Sequence, residues 1–122
     1  MKDIENRKDI ILLVDSFYDK VKKDLIIGHF FNDVAKVNWN EHLPKLYDFW
    51  ETALFHKSLY KGNPIEVHKN LHQLSPLNKT HFEHWVNLFC TTVDELFIGN
   101  NAEQIKIKAQ SIATVMQWKL QN

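Results

Sequence analysis

Thr80-His81-Phe82-Glu83-His84-Trp85-Val86-Asn87-Leu88-Phe89-Cys90-Thr91-Thr92-Val93-Asp94-Glu95-Leu96-Phe97 carries its apolar side chains at Phe82, Trp85, Val86, Phe89, Cys90, Val93, Leu96 and Phe97. Steps of three and four place them all on one face of an α-helix. Thr80 and Glu83 are spaced for a capping box at its start, and Gly99-Asn100-Asn101 supplies a stop and a turn at its end. Beyond that turn, Ile105, Ala109, Ile112, Ala113, Met116 and Leu120 mark a second amphipathic helix, which so short a connection folds back antiparallel.

Upstream the same period recurs. Ile10, Val14, Phe17, Tyr18 and Val21 predict a first helix that ends near Gly28. Asn38 and Glu41 offer a cap for another long helix, with Leu43, Leu46, Phe49, Trp50, Ala53 and Leu54 on one stripe. Pro44 lies early in it, and its missing N–H predicts a kinked or loosely wound turn around His42. Lys57 to Gly62 reads as a loop. No segment alternates in the manner of a strand, so the fold is all-α over one domain, residues 1–122, with two long helix pairs and a short fifth element.

Fifteen basic and fifteen acidic residues cancel, which leaves no field to steer nucleic acid or an anionic membrane. The lone Cys90 has no partner for an internal disulfide and lies on an apolar helix face, so a reducing, cytoplasmic setting is expected. The charged stretch Met1 to Arg7 does not lead a signal peptide, and no apolar run approaches the roughly 18 residues that span a bilayer.

The short element is Asn63-Pro64-Ile65-Glu66-Val67-His68-Lys69-Asn70-Leu71-His72. Asn63 caps it, Pro64 suits its first turn, Glu66 completes a capping box, and Ser75-Pro76 ends it. His68 is thereby mounted on a brief, rigid and otherwise apolar helix. Seven histidines invite a metal reading, and His68 with His72 share a helix face. The Glu-x-x-His pairs of a di-iron bundle and the H-E-x-x-H motif of zinc proteases are both missing. His29, His56, His81 and His84 read as surface or capping residues. Aromatic stripes with a few polar tips are what a planar cofactor asks of its pocket, and haem needs one imidazole, an apolar sleeve and a polar group facing the sixth position. His68 can supply the imidazole, and Tyr18 and Trp85 the polar tips.

Phe17-Tyr18-Asp19-Lys20-Val21, Gly28-His29-Phe30-Phe31-Asn32, Trp39-Asn40-Glu41-His42, Phe49-Trp50, Tyr60-Lys61-Gly62-Asn63-Pro64 with His68, His81-Phe82-Glu83-His84-Trp85 and Lys108-Ala109-Gln110-Ser111-Ile112-Ala113 stand in an order that resembles the third (P) group of truncated haemoglobins. These are two-on-two globins, and the resemblance covers almost the whole chain. It implies haem b (iron protoporphyrin IX), with His68 as proximal iron ligand, Tyr18 as distal hydroxyl, Trp85 as distal indole donor and His42 at the distal gate. It further implies that Phe31 packs against the porphyrin, within a lining completed by Lys45, Leu46, Phe49, Leu71 and His72, with Lys45 in reach of a propionate.

On that reading O2, NO and CO are the ligands. Two donors that slow O2 release favour redox chemistry, such as NO detoxification or peroxide activation with a reductase partner, over O2 delivery. A hemerythrin-like di-iron or zinc bundle and a cofactor-free interaction bundle are the alternatives.

Overall fold

Three asparagines start three of the helices. Asn6 Oδ1 accepts from Asp9 N–H, Asn38 Oδ1 from Asn40 N–H and Asn78 Oδ1 from His81 N–H, each at 3.2 Å, so each side chain satisfies an amide that the first helical turn leaves unpaired. The structure, a computed structural model, describes residues 1–34, 36, 38–56, 68 and 77–121. Its helices are α1 (Arg7–Lys22), α2 (Trp39–Phe55), α3 (Lys79–Leu96) and α4 (Asn100–Gln121), with a π-helical turn at Phe30–Val34. Among the described residues there is no strand, and no helix is long and apolar enough to cross a membrane.

Two boundaries and one helix interior differ from the sequence expectation. α1 stops at Lys22 rather than near Gly28, because Asp24 Oδ1 takes the amides of Ile26 and Ile27 at 2.8 and 3.0 Å and turns the chain. Gly28 then passes so close to α1 that a Cβ there would lie 2.8 Å from the Val21 carbonyl oxygen. α3 begins before Thr80: the capping box is Asn78 with His81, whose Nδ1 accepts from Asn78 N–H at 3.1 Å, and Thr80 and Glu83 fall inside the helix. α2 runs unbroken through Pro44, since the carbonyl robbed of its partner belongs to Asn40, an exposed residue. The predicted short helix lies outside the described residues except for His68, which is helical and half-buried.

α1 packs on α2 and α3, α3 on α4, and α2 touches α4, which gives two helix pairs laid against each other. Ile10, Leu13, Val14, Phe17, Tyr18 and Val21 of α1 are buried at this junction, against Trp50 and Leu54 of α2 and Phe89 and Val93 of α3. Trp50 stacks on Phe89 with centroids 4.7 Å apart, and Phe17 meets Phe89 edge-on at 5.1 Å.

The opening residues close the far end. Asp3 caps α4 from 98 residues away, its two carboxylate oxygens accepting from Asn101 N–H and Ala102 N–H at 2.9 Å. Ile98 N–H donates to the Lys2 carbonyl, Asn101 Nδ2 to the Ile4 carbonyl, and Ile4 is fully buried. Gly99, at φ +143°, is required here twice over, since a Cβ would meet the Asp3 carboxyl carbon at 2.5 Å.

Candidate functional site

Tyr18 sets a hydroxyl within the aromatic interior, only 4% exposed. α1 turns it inward between Phe17, with rings 4.7 Å apart, and a second layer formed by Phe31 at 5.8 Å, Trp39 at 5.5 Å and His42 at 6.2 Å. Burial pushes its phenol well above the ordinary tyrosine value, opposed in part by a hydrogen bond from the Trp85 indole. The phenol therefore stays protonated. An indole N–H can only donate to the phenol oxygen, which leaves the hydroxyl hydrogen available for a further acceptor.

Trp85 is held from behind. Phe89 stacks on it at 5.7 Å, Trp50 at 6.4 Å, and Phe17 meets it edge-on at 5.7 Å, so the indole has little freedom to turn from Tyr18.

On α2, Trp39, His42, Leu46 and Phe49 recur at helical spacing and are all half-buried, while Trp50 and Leu54 beside them are buried in the core. Phe31 and Trp85 are half-buried too. A stripe of apolar side chains packed on the core yet incompletely covered, with a buried phenol behind it, is a wall that a planar apolar group would complete. His42 lies within it. Burial, then the positive charges of Lys45 and His68, hold its imidazole below the ordinary histidine value, so it is neutral at pH 7. Lys45 is exposed one turn after it. The half-buried imidazole of His68, the apolar rings and the protonated donors are together a donor set that fits haem.

The structure thus gathers Tyr18, Trp85, His42 and Phe31 into one cluster, with Leu46 and Phe49 on the same α2 stripe, and leaves His68 half-buried. Leu71 and His72 lie outside the described residues. Trp39, to which sequence reasoning gave no role, touches Phe31, Tyr18 and His42; its position three residues before His42 was the available signal. Of the remaining histidines, His81 caps α3, His56 ends α2 in the left-handed conformation, His29 lies against Phe30 at 4.1 Å, and His84 Nε2 pairs with Asp24 Oδ2 at 2.6 Å. Among the described residues no three His, Cys, Asp or Glu side chains converge as a metal cage.

A family model described as bacterial-like globin matches residues 3–121. The chain is 31% identical over 115 residues to the group 3 truncated haemoglobin ctb of Campylobacter jejuni, covering 92% of this chain and 88% of that protein. Its structure is similar to the crystal structure of a group III truncated haemoglobin from Campylobacter jejuni, with TM-score 0.85 and 31% identity over 98% of this chain and 95% of the other.

Proposed function

The chain belongs to the bacterial-like globin family, on its group III truncated-haemoglobin branch, and from that premise we propose that it carries haem b on His68 and uses Tyr18 and Trp85 to hold a polar diatomic ligand for redox chemistry. As a globin it binds haem and diatomic gases such as O2, and the hemerythrin-like alternative is not favoured. When bound, haem supplies an iron atom that takes such a gas reversibly.

The observation that carries the proposal is the buried Tyr18 beside the half-buried Trp85, behind the half-buried stripe of α2. Tyr18 O–H is the first donor to a ligand in that pocket, and Trp85 holds and polarises it. His42 closes the entrance, Phe31, Leu46, Phe49 and Leu71 sheathe the ring, and Lys45 and His72 serve its polar edge. A hydrogen bond to an acceptor that gains negative charge contributes about 1.5 to 3 kcal/mol, enough to slow escape about tenfold to a hundredfold. Slow release suits consumption of the ligand over delivery. The reaction we favour joins NO, O2 and one electron from a reductase into nitrate, with peroxide activation as its sibling; CO is an inert probe of the same site. A cytoplasmic setting suits a lone thiol whose ionisation is opposed first by its burial.

The test is a spectrum followed by a rate. The purified protein should show a Soret band, and Tyr18→Phe should speed O2 dissociation by at least about tenfold. An unchanged off-rate refutes the donor role.

A further inference from the structure

Trp39 opens α2 and makes four contacts that join three parts of the chain. Its ring stacks on Phe31 at 5.9 Å, lies against Tyr18 at 5.5 Å and meets His42 edge-on at 5.7 Å. On the ring's face, 4.7 Å from its centroid, sits the ammonium of Lys22 from the last turn of α1. His42 is in turn edge-on to Tyr18 at 6.2 Å, so its ring is boxed between a phenol and an indole. To swing outward His42 must part from Trp39, and Trp39 is pinned by a cation.

We propose that Trp39 is a positioning residue that keeps His42 closed over the pocket, and that Lys22 is the latch which sets how often the pair opens. The inference rests on the haem pocket proposed above, and adds to it the residues that govern access. A cation over an indole at a partly exposed site corresponds to about a two- to fivefold change in an equilibrium. Loss of the latch should therefore raise the rate of ligand entry by that factor.

The experiment measures CO association by flash photolysis of the ferrous protein for wild type, Lys22→Met, Trp39→Leu, His42→Ala and the double variant Lys22→Met/His42→Ala. Lys22→Met keeps the apolar stem, and also the backbone carbonyl that accepts from Asn32 Nδ2. It should bind CO about two- to fivefold faster, and Trp39→Leu should be at least as fast. With His42 already removed, Lys22→Met should add nothing. In NMR spectra of the diamagnetic CO form, the His42 ring protons should move in both single variants as the indole ring current is lost or displaced. A haem-loaded Lys22→Met protein with the wild-type rate, an equal effect with and without His42, or unmoved His42 resonances overturns the latch alone. A protein that never takes up haem overturns the proposed function and the latch together.

Discussion

Tyr18 and Trp85 divide one task between two kinds of polar group. The phenol is both donor and acceptor, whereas the indole only donates, so the one geometry that satisfies both places N–H on phenol oxygen and sends O–H onward. Trp85→Phe keeps an aromatic ring between Phe17 and Phe89 while deleting the donor. It should accelerate O2 dissociation, by less than Tyr18→Phe, and a stopped-flow comparison of the two variants checks the order. The sequence presented both residues on apolar stripes, where a polar tip invites attention. It could not show that they bond to each other, since the pairing depends on how α1 and α3 pack. The same limit hid Trp39, whose partners Lys22 and Phe31 belong to other elements.

Helices were legible from period and their ends only in part, Asn38 being the cap that the sequence announced. Apolar spacing registers the faces of α1 to α4, but a boundary is decided by a few side-chain hydrogen bonds, and before α3 Asn78 and Thr80 both suit the cap. Asn78→Ala should destabilise the fold by about 1 kcal/mol in urea unfolding. Asp3→Asn should act through pH. Burial alone would raise the Asp3 carboxyl, yet the N–H groups of Asn101, Ala102 and Ile4 together outweigh it and hold it below the ordinary value. A depressed native pKa contributes stability above the unfolded value of about 3.9 and loses it as pH falls through the native one. The stability gap between wild type and Asp3→Asn, followed by urea titration across the acid range, should be full at neutral pH and close below about pH 4. No local pattern announced this cap, because acceptor and donors are 98 residues apart.

Across the whole molecule, the half-buried wall on α2 implies that the fold is completed by what it binds. A ligand that binds only the native state adds about 2.7 kcal/mol at a hundred times its dissociation constant. The haem-loaded protein should therefore melt well above the haem-free one, and His68→Ala should remove most of the difference along with the red colour. Calorimetry of the four samples decides it. Tertiary closure has a further consequence in time. Lys2, Asp3 and Ile4 precede α1, yet the amides and carboxamide they serve belong to Ile98 and to the first turn of α4. A chain halted after α3 would hold a solvated acid and an uncovered isoleucine ahead of α1, and would acquire native cooperativity only once α4 is made.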